Sequence, residues 1–235
     1  MYDEYNMLGK GLNFAHFINT TDEILEETGA SGTGMIWNPL SNGRLASGLA
    51  DVPKYLEYDI PIGMGIDGQA SADDSDPFEN MRLGMYAVRM KYRDAKAMMP
   101  IDVLRMHTIE TAKVFGIEDQ MGSLEVGKFG GFIILDPRQM ETSPVIHPIE
   151  HVVLTQSIAN LEAVIVGGEI SVQRGDFLHV DYDEVKNQVT ERVARVREKL
   201  EAVKAEGFRP GGLWSLQDYM FELEEQRHGK ERASQ

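Results

Sequence analysis

Apolar and polar positions fall in blocks along the first third of the chain. Leu12 to Ile18 is an apolar run broken by one histidine, His16; Gly32 to Trp37 is a second run and Ile60 to Ile66 a third. Each run ends in polar residues: His16 and Asn19, then Asn38, Ser41 and Asn42, then Asp67 and Ser71. After the first run, Thr20-Thr21-Asp22-Glu23 signals a helix start with acidic residues in its first turn, and Ile24, Leu25 and Thr28 carry that helix to Gly29. Asn38-Pro39-Leu40-Ser41-Asn42-Gly43 reads as a polar turn, and Val52–Tyr58 as a short helix. The pattern predicts three strand–loop–helix units, with strands at 12–19, 33–38 and 61–66. Apolar strands alternating with helices predict a parallel sheet covered on both faces, hence an α/β fold. Polar groups repeated at strand C-termini match the rim on which a (β/α) barrel carries its chemistry.

Pro77 opens a helix over 77–93 with Phe78, Met81, Met85, Val88 and Met90 on or near one face, where the methionines read as core packing. Pro100 opens another helix through Val103, Leu104, Met106, Ile109, Ala112 and Val114, closed by Gly116. The texture then changes. Gly122 to Pro137 reads as a turn and strand, and Val152-Val153-Leu154, Leu161 to Val166 and Ile170 to Gln173 as further short strands, with a hairpin at Gly167-Gly168. An all-β segment is expected over 121–180. Val185, Val189, Val193, Val196, Leu200 and Val203 then follow helical spacing, and Leu216, Tyr219, Met220 and Leu223 form an amphipathic patch in the tail.

Composition narrows the chemistry. The formal net charge of -15, with no clustered Lys or Arg, argues against nucleic acid and anionic membrane as partners. There is no cysteine, so a disulfide framework, a thiolate nucleophile and a thiolate metal site are all excluded. A metal would be held by His, Asp or Glu, which suits zinc, iron or manganese. The start of the chain, Met1-Tyr2-Asp3-Glu4-Tyr5-Asn6, lacks the apolar stretch of a signal peptide, and no run reaches the roughly 20 apolar residues of a membrane helix. The expected location is cytoplasmic.

Two residues carry the candidate chemistry. Alone, Asp67 before Gly68 reads as a turn cap and His16 as a hydrogen-bonded core histidine. If both face one barrel mouth, Asp67 ligates a divalent metal and accepts a proton from its bound water, while His16 orients that water or polarises the bond under attack. A small doubly wound enzyme is a further alternative; no Gly-x-Gly-x-x-Gly turn follows an early strand, which argues against a nucleotide cofactor.

Four stretches resemble one family when taken together: Ala15-His16-Phe17-Ile18-Asn19; Asn38-Pro39-Leu40-Ser41-Asn42-Gly43-Arg44-Leu45-Ala46-Ser47-Gly48; Gly63-Met64-Gly65-Ile66-Asp67-Gly68-Gln69-Ala70-Ser71; and Gly122-Ser123-Leu124-Glu125-Val126-Gly127-Lys128. Over residues 1–180 the chain is similar to the C-terminal half of the metal-dependent amidohydrolase superfamily, in the branch of triazine hydrolases, guanine deaminase and adenosylhomocysteine-type deaminases. The resemblance implies the C-terminal part of a (β/α)8 TIM barrel over 1–120, part of a small β-sandwich over 121–182, and a C-terminal helix and tail over 183–235. It implies water activated by zinc or iron, attacking a C–N or C–halogen bond of a small heteroaromatic substrate. Asp67 matches the aspartate that ends the last barrel strand and ligates metal. His16 matches the histidine that ends the sixth strand and touches substrate or water, and Asn42 and Ser71 fall where substrate is contacted. Asn19 stands where many relatives have a second histidine.

The departures are as informative. The family's His-x-His pair and its fifth-strand histidine have no counterpart here. His107 falls inside a helix, and His147 and His151, spaced for a metal on a helix, are separated by Pro148, which argues against a helix there. The isolated chain is therefore expected to bind metal weakly or not at all. Its expected partner is a missing N-terminal half or further copies of itself, because three strands leave unpaired edges on both flanks of the sheet and on one side of the β segment. A catalytically incomplete interaction protein that oligomerises through those edges is the alternative.

Overall fold

The computed structural model describes residues 5–205. The chain divides into two compact units, Met1–Leu178 and His179–Gln235. The tail patch of Leu216, Tyr219, Met220 and Leu223 lies outside the described residues, as does His228.

Three parallel strands open the first unit: β1 (Asn13–Ala15), β2 (Gly34–Trp37) and β3 (Ile62–Met64), in the order β1-β2-β3. Phe14 pairs with Met35, and Trp37 with Met64. The strands are shorter than the apolar runs predict, because His16, Asn38 and Asp67 have already turned out of the ladder. Helix α1 (Asp22–Ser31) starts where the sequence places it, with the Thr21 hydroxyl accepting from Ile24 N, and ends on Gly32 in the left-handed region. Helices α2 (Pro39–Arg44), α3 (Val52–Leu56) and the short α4 (Gln69–Ala72) follow.

Most of the stretch Asn38 to Gly43, where the sequence predicts a turn, lies in helix α2, with Asn38 as its cap. Pro39 fits the first helical position, and the N–H of Leu40 is accepted not by a local cap but by Asn80 from a distant helix. Local propensity of Ser, Asn and Gly favours a turn; a tertiary partner reverses the outcome.

Helix α5 (Pro77–Tyr92) is capped by Asp76, whose Oδ1 accepts from Phe78 N at 2.7 Å and Glu79 N at 3.3 Å. Phe78, Met81, Met85 and Val88 are buried as expected, but Met90 is 70% exposed. At ~100° per residue its position falls well around the helix from the Phe78–Met85 stripe. Helix α6 (Pro100–Arg105) continues through a π-helical turn (Met106–Glu110) into α7 (Thr111–Phe115), closed by Gly116. The core gathers Met35, Trp37, Tyr55, Ile60, Met64, Phe78, Met85 and Val103 between the sheet and these helices.

The second sheet is antiparallel, in the order β4 (Phe132–Leu135), β5 (Leu161–Val166), β6 (Glu169–Gln173) and β7 (Asp176–Phe177). The β5–β6 hairpin turns at Gly167 and Gly168, both at positive φ. The expectation that 121–180 is all β fails at 148–154, where α8 (Pro148–Leu154) packs Val153 into the core. Pro148 is the first helical residue, where a missing N–H costs nothing, so it starts this helix instead of excluding it. Arg82 donates to the carbonyls of Val153 (3.2 Å) and Gln156 (2.6 Å) and so satisfies the end of α8.

The free side of β3 is not a bare edge either. The Thr111 hydroxyl accepts the Met64 N–H at 3.0 Å, in the place a neighbouring strand's carbonyl would take. In the second unit, α9 (Tyr182–Ala205) runs for 24 residues with Val185, Val189, Val193 and Val196 exposed. No helix among the described residues is long and apolar enough to cross a membrane.

Candidate functional site

Two residues of the candidate site follow the C-terminal ends of the outer strands, both with left-handed backbone: His16 at φ 66° after β1 and Asp67 at φ 71° after β3. Such a conformation is uncommon for residues other than glycine, and it turns each side chain out of the sheet direction. The turn at His16 is held from below. His16 N donates to Ile36 O, and the buried Tyr55 hydroxyl donates to Phe17 O at 2.9 Å. Phe17, itself at φ 46°, stacks on Phe14 with ring centroids 4.9 Å apart. On the other side, Gly65 N donates to Trp37 O before the chain swings to Asp67.

These two turns bring His16 Nε2 to 3.6 Å from Asp67 Oδ2. Helix α2, which follows the central strand, bridges them with consecutive residues. The Ser41 hydroxyl donates to Asp67 Oδ2 at 2.7 Å, and the Asn42 amide lies 2.9 Å from His16 Nδ1. The Asn42 group facing Nδ1 is the amide nitrogen, a donor, which favours the tautomer with the proton on Nε2, the nitrogen that faces the carboxylate. Asp67 Oδ1 accepts from Gly68 N at 2.7 Å.

The Asp67 carboxyl is held below its ordinary value, first by the Ser41 hydroxyl and next by the Gly68 N–H. Partial desolvation opposes this, and His16 and the Ser71 hydroxyl add smaller contributions. Donors aimed at the charged form favour it, so Asp67 is an anion poised as ligand or proton acceptor. Thus His16, Asp67, Asn42 and Ser71 all fall in one neighbourhood, while Asn19 is exposed on the turn beyond Phe17.

Sequence reading gave no role to three residues that shape this region. Ser41 was one of the polar residues ending the second apolar run. Asn80, fully buried on α5, accepts from Leu40 N at 3.0 Å and donates to Gly65 O at 2.9 Å. His107, in the π-helical turn, has its Nε2 3.0 Å from the same amide nitrogen. Burial pushes its pKa down to about 4. At ~100° per residue Asn80 lies about 100° around the helix from Met81, outside the apolar stripe, so helical spacing gives no sign of its burial.

His147 and His151 sit at the N-cap and inside α8. His147 Nδ1 is 3.9 Å from Glu150 Oε2, and His151 Nε2 is buried without a hydrogen-bond partner. Among the described residues no three His, Asp or Glu side chains are grouped to hold a metal ion.

Comparison with known proteins gives this geometry a context. A 5-methylthioadenosine/S-adenosylhomocysteine deaminase of Syntrophus aciditrophicus is 30% identical over 197 residues, which is 84% of this chain and 44% of that protein. A 5'-deoxyadenosine deaminase of Methanopyrus kandleri is 30% identical over 80% of this chain and 44% of its own length. The crystal structure of an adenosine deaminase from Xanthomonas campestris with bound zinc superposes with a TM-score of 0.78 at 25% identity, covering 83% of this chain and 45% of that one. The chain spans less than half the length of these relatives. Residues 2–171 match the model of the amidohydrolase family, and with the His16 and Asp67 turns lying inside that stretch, the chain belongs to the amidohydrolase family.

Proposed function

We propose that this chain contributes the His16–Asp67 share of the active site of a metal-dependent hydrolase, a deaminase acting on a C–N bond of a small heteroaromatic substrate. It is the C-terminal part of a (β/α)8 barrel, with part of a β-sandwich, working in the cytoplasm with an N-terminal half. The observation that carries the reading is the 3.6 Å approach of His16 Nε2 to Asp67 Oδ2 beyond the C-terminal ends of parallel strands, where α/β enzymes place their chemistry. The names of the Syntrophus, Methanopyrus and Xanthomonas relatives, all deaminases of adenosine derivatives, support the reaction class.

The described residues do not by themselves fit a zinc or iron ion. Catalytic zinc takes about three protein ligands, and no such group is present among the described residues. In this reading Asp67 contributes one ligand oxygen and the remaining ligands come from the N-terminal half. A metal held there would supply activated water. The chain's own part is to keep Asp67 anionic through Ser41 and Gly68, and to present the Nε2 proton of His16 beside it. Asn42 and Ser71 line the substrate's approach.

Reconstitution tests this. The chain alone is expected to retain little zinc after dialysis and to release no ammonia from 5-methylthioadenosine or adenosine. Co-expression with the N-terminal half of the Xanthomonas campestris enzyme is expected to restore both zinc and turnover, and Asp67→Asn to abolish them again. Full activity of the chain alone would overturn the account of the missing ligands. The exposed apolar side chains of β4, Phe132, Ile133 and Ile134, favour one second reading, a non-catalytic protein that assembles through its sheet edges. A stable metal-free oligomer that ignores the N-terminal half would support it.

A further inference from the structure

The two hydrogen bonds that organise the candidate site, Ser41 to Asp67 and Asn42 to His16, both start from α2. That helix has only six residues, and its Asn38 cap makes no side-chain hydrogen bond to it. Asn38 instead donates back to Ile36 O at 3.1 Å. A helix so short has little stability of its own, so something else fixes its position relative to the Asp67 turn.

Asn80 is placed to do this. It is the fully buried polar residue of α5, and all three of its amide contacts converge on the scaffold beneath the site. Its Oδ1 accepts from Leu40 N, immediately before Ser41; its Nδ2 donates to Gly65 O, two residues before Asp67, and to His107 Nε2. The orientation of the amide is dictated by its partners. Leu40 N is only a donor and Gly65 O only an acceptor, so a flipped amide would set N–H against N–H and carbonyl against carbonyl. His107 takes the second amide proton, which requires an unprotonated Nε2; the pKa pushed down by burial to about 4 keeps it so.

We propose that Asn80 is the positioning residue of the site: by tying the first turn of α2 to the backbone ahead of Asp67, it sets Ser41 and Asn42 in register with Asp67 and His16. It touches neither of the reacting groups, and its effect passes through α2. The inference rests on the reading of His16 and Asp67 as site groups.

Long-range 1H–15N spectra of the histidine side chains and amide hydrogen exchange, on the full chain, test it. In the parent, His16 is expected as the Nε2–H tautomer and His107 as the Nδ1–H tautomer. Asn80→Ala should average the His16 tautomers and speed exchange of the Leu40 amide at least about tenfold relative to β2 amides. Met85→Ala, an equally buried change on the same helix, should leave both signals as in the parent. Asn80→Asp keeps the acceptor for Leu40 N but sets a carboxylate oxygen against Gly65 O, so it should cut the tie ahead of Asp67 and disturb the His16 pattern while the Leu40 amide stays slow and His107 switches to Nε2–H. A folded Asn80→Ala chain with unchanged His16 and Leu40 signals would overturn the proposal, as would a Met85→Ala chain that loses them. If Asn80→Ala does not fold, Asn80→Asp decides: an unchanged His16 pattern there overturns it. Because these signals report geometry and not turnover, a reconstituted enzyme without activity but with the expected spectra counts against the function alone.

Discussion

The Ser41 hydroxyl donates to Oδ2 of Asp67, the same oxygen that His16 Nε2 approaches to 3.6 Å. One carboxylate oxygen thus joins the Asp67 turn to α2, 26 residues earlier in sequence, and to the turn after β1.

Removing that donor should be visible in the carboxyl itself. Ser41→Ala deletes the largest cause of the lowered Asp67 pKa, so the value is expected to rise towards the ordinary ~3.9. The sign for stability follows. The folded carboxyl lies below its unfolded value, so its contribution is present above the unfolded pKa and lost as pH falls through the folded one. A carbon-detected NMR titration of Asp67 in parent and variant measures the difference.

His107 makes a demand on pH of the same direction, but at higher pH. Its folded pKa of about 4 lies below the unfolded 6.5. Between the two the unfolded chain binds a proton that the folded chain refuses, so stability is full above pH 6.5 and falls as pH drops towards 4. The whole effect is at most roughly 3 kcal/mol. Urea midpoints measured from pH 7 to pH 4 should show this slope, and His107→Gln, which offers an acceptor that cannot be protonated in this range, should flatten it.

Thr111 stands in for a neighbouring strand at Met64. Thr111→Val keeps the shape but leaves the Met64 N–H without its acceptor, at an expected cost of about 1–3 kcal/mol. Faster hydrogen exchange at Met64, beyond any change at Met35, would confirm that the loss is local.

Gly63 is a close approach between β3 and the helices behind it. A Cβ there would lie 2.6 Å from Thr111 Oγ1, 2.8 Å from Thr111 Cα and 2.8 Å from Ile36 Cδ1. Because Thr111 Cα belongs to the backbone, the neighbour has little room to yield, and Gly63→Ala is expected to destabilise by about 1–3 kcal/mol in urea unfolding.

The parallel β/α order, the helix starts at Thr21 and Pro77, the hairpin at Gly167-Gly168 and the placing of His16 and Asp67 at strand ends were all written in the local pattern of residues. Each depends on periodicity or on one residue's conformational preference. What local pattern misjudged was decided by partners far away in sequence. Pro39–Arg44 is a helix whose Leu40 N–H Asn80 accepts, and Pro148–Leu154 is a helix whose end Arg82 satisfies. The β3 edge is closed by a threonine 47 residues downstream. A backbone group out of water must find a partner wherever one is offered, and only the folded chain shows which side chain arrives. For the same reason the sequence named His16 and Asp67, while the tertiary structure alone set the distance between them.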